Sequence, residues 1–190
     1  MKEVFSAFGN EVFRPLVTLV LPGAIAIVPY FIALMQKEQR FWESVSANHT
    51  ETALMLALAS LFWGMVIEDV GTRFEAKILD ERAKRANKDF LQVWYDYLRC
   101  VFPTEPPGRR FLRALVLRLK FELGAAVALI VAIPGVLLAV ELPIHWRLWI
   151  SGGAVVLALY LGWIEAPATH EVLSKLRAEL IRPRPNISAD

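Results

Sequence analysis

The chain has 190 residues, of which 56% are hydrophobic and 21% charged, and its formal net charge is +2. Because the charged share is close to that of an ordinary soluble domain, the apolar excess must lie in blocks. This composition excludes a soluble enzyme, a disordered chain, a disulfide scaffold and a collagen-like fibre, and it indicates no particular chemistry. The single cysteine, Cys100, excludes an intrachain disulfide and a Cys-rich zinc site.

Four uncharged runs have the length of a membrane span. A helix needs about 20 apolar residues, within a range of roughly 17 to 25, to cross a bilayer. The shorter runs reach that length only with the residues at their ends. The predicted fold class is an all-α membrane protein with four transmembrane helices and a cytoplasmic amphipathic helical hairpin between spans two and three. The runs are 15–36, 52–67, 123–140 and 148–164.

This pattern divides the chain into four parts. In span one, Pro15, Pro22 and Pro29 interrupt the helix. Kinks are favoured there over a substrate or ion site, because neighbouring helices can satisfy the freed carbonyls. The parts are 1–70 with spans one and two, 71–122 with the hairpin, 123–165 with spans three and four, and 166–190 with a cytoplasmic C-terminal helix and tail.

Charged residues gather at the end of span two. A carboxylate close to hydrocarbon is costly, and it favours a functional interpretation such as an ion or proton path. The alternative is that Asp69 pairs with Arg73 one turn later and that the other charges are interfacial. Charged residues are absent from the middle of all four runs, which weakens a transporter or pump interpretation. The predicted polar span-end cluster consists of Glu68, Asp69, Arg73 and Glu165.

Residues 72–101 are predicted to form one long amphipathic helix, with Gly71 as its weak point towards span two. From position 90 the apolar residues follow a helical spacing and make one stripe. Burying each large side chain is worth roughly 1.5–3 kcal/mol, and the chain itself offers only the stripe at 111–119 and the membrane surface as covers. The stripe is therefore predicted to contact another subunit or a partner protein. Its residues are Phe90, Leu91, Trp94, Tyr97, Leu98 and Val101.

A proline-rich break at 103–108 is followed by a basic amphipathic helix that runs into span three. Lys and Arg beside a span attract anionic lipid headgroups by about 1 kcal/mol each. Nucleic acid is the alternative, but this stretch lacks the aromatic interleaving of a single-strand binder, and no nucleic-acid contact is expected. The predicted lipid-contacting residues are Arg109, Arg110, Arg113, Arg118 and Lys120.

The distribution of Lys and Arg predicts the orientation of the spans. With both termini in the cytoplasm, the cytoplasmic side holds 18 of the 21 basic residues and the outer side holds 3. This asymmetry is typical of a multi-pass protein of the bacterial inner membrane. Small residues four positions apart, Gly124 with Ala128 and Ala158 with Gly162, favour tight helix packing within or between subunits.

Catalysis has little support in the sequence. His49, His145 and His170 are scattered, and the first two are predicted on the opposite side of the membrane from the third. The nucleophile-elbow, zincin and P-loop motifs are absent. We therefore predict no enzyme, cofactor or metal, and a homo-oligomer that forms or gates a membrane pore. The alternatives are a non-conducting anchor or scaffold that docks a cytoplasmic protein through the hairpin, and a membrane-embedded enzyme that acts on lipid.

Overall fold

The structure is a computed structural model that describes residues 16–38, 43, 45–99, 107–139 and 142–181. Of these residues, 95% are helical and none lies in a strand. Four helices are long and apolar enough to cross a membrane, which confirms the predicted all-α membrane fold with four spans. The spans are Thr18–Lys37, His49–Ala86, Phe111–Leu138 and Ile144–Ile181.

The main helices follow the apolar runs but extend beyond them. A π-helical turn, Leu16–Val20, leads directly into the first helix. We label the helices α1 (Leu21–Lys37), α2 (His49–Ala86), α3 (Phe90–Arg99), α4 (Pro107–Leu138) and α5 (Ile144–Ile181).

Helices α2 and α5 are both 38 residues long. At 1.5 Å per residue each is about 57 Å long, roughly twice the 30 Å of hydrocarbon in a bilayer. Their uncharged runs, 52–67 and 148–164, lie in the halves before the charged segments. The last part of each helix therefore extends beyond the apolar layer, at the end where α4 begins. We call residues 75–99, 107–122 and 166–181 the end module.

Both long helices change their hydrogen-bond pattern near the point where they enter the end module. Residues Glu75–Asp80 of α2 and Leu161–Glu165 of α5 are π-helical. A π segment adds a residue to the turn, so it rotates the faces of the helix that follows. The faces of the end module are therefore set by these two segments as well as by the sequence spacing.

The single helix predicted over 72–101 is interrupted, which corrects that prediction. Asn87 leaves the helical backbone conformation, and its side-chain Oδ1 accepts a hydrogen bond of 3.0 Å from the backbone N–H of Asp89. An Asn side chain that satisfies the backbone two residues later stabilises a turn. Gly71, the expected weak point, lies inside α2 and is buried against Leu123 of α4.

The span region has a core of small side chains. Ala26 of α1 and Ala128 of α4 are fully buried, and Ile67 of α2 is 1% exposed. A Cβ added to Gly23 would lie 1.7 Å from the carbonyl oxygen of Ser60, and one added to Gly64 would lie 1.9 Å from that of Leu19. The backbones of the first and second spans are therefore in direct contact.

The end module has a different core, built mainly from leucine. Its helices α4 and α5 pack against the π segment of α2, and α3 packs against the last part of α5. This core holds the polar side chains of the end module in place. The buried residues are Leu79, Leu112, Leu115, Leu119, Ala166 and Leu173, and the core continues to Leu123 just beyond the end module.

Candidate functional site

The predicted polar span-end cluster is divided among different partners. Asp69 and Arg73 form an exposed ion pair of 2.8 Å on the same helix, as the simpler interpretation of their spacing expects. Glu68 instead pairs with Lys120 of α4, with Nζ and Oε1 separated by 2.7 Å. Glu165 belongs to a separate network around Arg118. The four residues thus occupy three separate sets of contacts.

Arg118 is the centre of that network. Its Nε donates to Oε1 of Glu122 at 2.6 Å, and one terminal nitrogen donates to Oε2 of Glu165 at 2.7 Å. Glu122 is only 4% exposed, and Thr169 donates to its other oxygen at 2.9 Å. The hydroxyl of Tyr160 donates to Glu165. Because a buried carboxylate needs several donors to be stable, this network fastens α4 to α5 beside the second π segment.

The five predicted lipid-contacting residues have different surroundings. Arg118 and Lys120 bind carboxylates of neighbouring helices, as described above. Arg113 is exposed and Arg109 is half-buried. Arg110 lies in α4, but its side chain is outside the described set. Contact of this helix with lipid headgroups stays a prediction.

The apolar stripe of α3 has a cover within the chain that the sequence analysis did not include. Phe90, Trp94 and Tyr97 are half-buried, and α3 packs against the last part of α5. Leu91 and Leu98 remain 44% and 60% exposed. Val101 lies outside the described residues. Contact of the stripe with another subunit or protein stays a prediction, and Leu91 and Leu98 are the residues left to make it.

A cavity of about 680 Å³ opens in the end module between α2, α3 and α5. One end is apolar and is lined by Trp163 and Ile164, which belong to the last turn of the fourth apolar run. The other end carries charge. The charged side chains that line the cavity are the cations Arg82, Lys175 and Arg177 and the carboxylate Glu171.

Arg177 lies between this cavity and the aromatic face of α3. The carbon at the centre of its guanidinium is 3.8 Å from the centroid of the Trp94 ring, which is the geometry of a cation–π contact. Its Nε is buried and has no hydrogen-bond acceptor among the described residues. A guanidinium presents five N–H donors, and it suits the planar pair of oxygens of a carboxylate or phosphate.

His170 forms part of the cavity wall and is held from behind. Its side chain is 7% exposed, and Nε2 lies 2.9 Å from Oδ1 of Asp80 on α2. The ring of Phe90 packs beside it, with centroids 5.9 Å apart. Glu75 lies close enough that one donor atom each of Glu75, Asp80 and His170 can be chosen with all three within 4.8 Å of one another.

A second cavity, of about 810 Å³, lies between α1 and α2 in the span region. Its walls are mostly apolar, and the ionisable groups that line it are those of Glu51 and Tyr30. Tyr30 donates its hydroxyl proton to the carbonyl oxygen of Val131 at 2.7 Å. The end-module cavity therefore carries more charged and titratable side chains than the cavity between α1 and α2.

The residues that sequence reasoning missed are Glu75, Asp80, Glu122, Thr169, His170 and Arg177. A signal was present for Glu122, because Arg118 and Glu122 are four positions apart on a helix. Asp80 and His170 are 90 positions apart, and their meeting depends on how far α2 and α5 extend beyond the apolar runs. Helical periodicity does not contain that information.

Comparisons of the chain with protein-family models, with curated proteins and with solved structures gave no match. A fold of four apolar helices hosts many unrelated activities, so function has to be argued from the side chains of a site. The end-module cavity is the site that offers such an argument.

Proposed function

We propose that this protein is a membrane-embedded binding protein for an anionic amphiphile. The headgroup, a phosphate or carboxylate, is held in the end-module cavity, and the apolar chain lies along Trp163 and Ile164. The observation that carries the proposal is the Arg177 guanidinium, which stacks on Trp94 in the cavity wall.

The position of the cavity favours an amphiphile over a fully soluble ligand. Trp163 is 66% exposed and Ile164 is 60% exposed, although both are large and apolar. Aromatic residues at the end of a span lie at the level of lipid headgroups. A molecule in the cavity would therefore have hydrocarbon on one side and charged groups on the other, as a lipid requires.

The charges favour an anion. Lys175 and Glu171 form a pair of 2.6 Å on the outer surface and offset each other. Arg82 and Arg177 are the other two charged groups on the lining, and both are cationic, although Arg177 also interacts with Glu75 and Asp80 behind it. Stacking on Trp94 holds the Arg177 fork in one orientation, which lowers the entropy lost when it binds a headgroup.

The test is lipid retention by purified protein in nanodiscs, read by native mass spectrometry. We expect phosphatidylglycerol to be retained in preference to phosphatidylcholine, and Arg177→Gln to reduce that preference at least fivefold. Arg73→Gln is the matched control, because Arg73 forms an exposed pair away from the cavity. Equal retention by both variants would contradict the proposal. Competition by inorganic phosphate at similar affinity would identify a soluble anion as the ligand.

We further propose that the end module faces the cytoplasm of a bacterial cell, with both termini on that side of the inner membrane. The partition of 18 basic residues against 3 supports this orientation. After replacement of Cys100, the variants Lys88→Cys and His145→Cys distinguish the two orientations, because a membrane-impermeant reagent labels only a cysteine on the outer side of intact cells. Labelling of intact cells at position 145 and not at 88 is expected, and the reverse would contradict it.

A homo-oligomer that forms or gates a pore is the second candidate. The start of α5 favours contact with another helix, because a Cβ added to Gly152 or Gly153 would meet nothing within 4 Å. The neighbouring Ser151 has a buried hydroxyl without a hydrogen-bond partner among the described residues. Small residues allow close helix approach in lipid. The mass of the detergent-solubilised particle tests this candidate, and a monomer would contradict it.

A further inference from the structure

We propose that Glu75, Asp80 and His170 form a binding site for a divalent transition-metal ion, with Zn²⁺ as the reference ion. The inference is independent of the proposed amphiphile. It concerns the opposite face of His170, towards α2, where the side chains differ from those of the cavity. One imidazole nitrogen and two carboxylate oxygens are a ligand set that suits zinc and its neighbours in the first transition row.

The distances fit an ion. The three donor atoms lie within 4.8 Å of one another. A tetrahedral zinc ion with bonds of about 2.0–2.2 Å holds its ligand atoms roughly 3.4 Å apart. Small side-chain rotations therefore close the cluster on an ion, and a fourth position stays open for water or an anion.

The π-helical segment of α2 explains why the two carboxylates share a face. Glu75 and Asp80 are the first and last residues of that segment and are five positions apart. In a regular α-helix, residues five apart differ by about 140° around the axis. Hydrogen bonds between residues five apart bring such a pair to the same side of the helix. The deformation thus places a second carboxylate beside His170, which a regular helix would not do.

Burial and charge supply the remaining arguments. His170 is nine-tenths buried, so its nitrogen is held in place by packing with Phe90 and needs little ordering on binding. Two carboxylates lie in a half-buried cluster, and the nearby Arg177 interacts electrostatically with both. Lys120, the other neighbouring cation, is paired with Glu68. A metal ion bound to Nε2 would take the place of the hydrogen bond between that nitrogen and Asp80.

The test is a titration of metal-free purified protein in detergent with Zn²⁺, in which isothermal titration calorimetry measures the binding. We expect one Zn²⁺ per chain, and an affinity reduced at least about tenfold in Glu75→Gln and in Asp80→Asn. The Asn side chain offers both a donor and an acceptor to Nε2 of His170, so we expect Asp80→Asn to keep the fold. Asp69→Asn and His145→Ala are the matched controls, because they remove an exposed carboxylate and an exposed imidazole away from the cluster.

Arg177→Gln separates this inference from the proposed function. Removing a positive charge beside the cluster should tighten Zn²⁺ binding severalfold, whereas the same substitution should weaken retention of the anionic amphiphile. Circular dichroism of each variant confirms that the helices are intact. The metal site would be overturned if the natural chain bound no stoichiometric Zn²⁺, or if Glu75→Gln and Asp80→Asn bound Zn²⁺ as tightly as the natural chain. The amphiphile proposal would still stand.

Discussion

In the span region the residues at the helix contacts are alanine and glycine, whereas in the end module they are leucine. Ala26 and Ala128 meet in the first region, where Gly23 and Gly64 let two backbones touch. Leu119 and its neighbours form the second core, which also encloses the carboxylate of Glu122. The same chain therefore packs its helices in two ways.

The difference follows from the solvent of each region. Between spans, lipid tails are as apolar as leucine, so helices gain little by burying large side chains and associate through close contact of small ones. In water, burial of apolar area is the dominant favourable term. A leucine core is therefore the kind of packing expected of a region that lies in water. The large exposed side chains of α2, such as Leu54, Met55 and Phe62, are the ones expected to face lipid.

The largest expected effect is that of Gly64→Val in the span region. The added side chain would meet the carbonyl of Leu19, which belongs to the backbone and has no rotamer to change. We expect the free energy of unfolding to fall by about 3 kcal/mol, the upper end of the usual cost of overpacking, as measured by a denaturant titration in detergent. Gly153→Val is the control, since its Cβ meets nothing. Similar losses in both variants would show that glycine is not required for contact.

An intermediate effect is expected for Leu119→Ala in the end module. Leu119 is 1% exposed, and its truncation leaves a cavity that costs about 2–5 kcal/mol. Leu137→Ala is the control in the span region, where the side chain is 40% exposed. A much smaller loss is expected there, because lipid fills the space. Equal losses in thermal unfolding would remove the distinction between the two cores.

A smaller effect is expected for Glu122→Gln, which sharpens the comparison for polar groups. The buried carboxylate accepts one hydrogen bond from Arg118 and one from Thr169, each on a different oxygen. In Gln one of these oxygens is replaced by an NH₂ group, which cannot accept a hydrogen bond, so one of the two bonds is lost. We expect a loss of about 1–3 kcal/mol. Glu68→Gln, at a half-exposed pair, should lose less. A larger loss for Glu68→Gln, measured by thermal unfolding, would contradict the assignment of Glu122 as the central buried acceptor.

The fold was largely predictable from the sequence. Among the described residues, each uncharged run forms part of a helix, because about 20 apolar residues leave few alternatives in a membrane. The ends of the helices were not predictable in the same way. The run at 148–164 became a helix that continues to Ile181 despite Pro167, because Ala166 and Leu173 of the continuation pack in the leucine core.

Most of the candidate site could not be predicted from the sequence, for two physical reasons. The first reason is that the contact is between residues far apart in the sequence. His170 and Asp80 meet because two separate helices extend into the end module side by side. The second is local register, because the π segment moves Asp80 relative to Glu75 by an amount that side-chain periodicity does not encode. The pairing of Asp69 with Arg73, by contrast, needed only a regular helix, and spacing alone indicated it.

Helix α5 carries its π-helical segment near its middle, between two parts of nearly equal length. The π segment Leu161–Glu165 and the Arg118 bonds beside it lie near the middle of the helix, with 17 residues before the segment and 16 after it. Arms of about 26 Å and 24 Å follow from the rise per residue. If the helix tilts as a rigid rod about that fulcrum, a rotation of about 5° moves Ile181 by roughly 2 Å. A change in bilayer thickness that alters the tilt of the fourth span would then change the width of the end-module cavity.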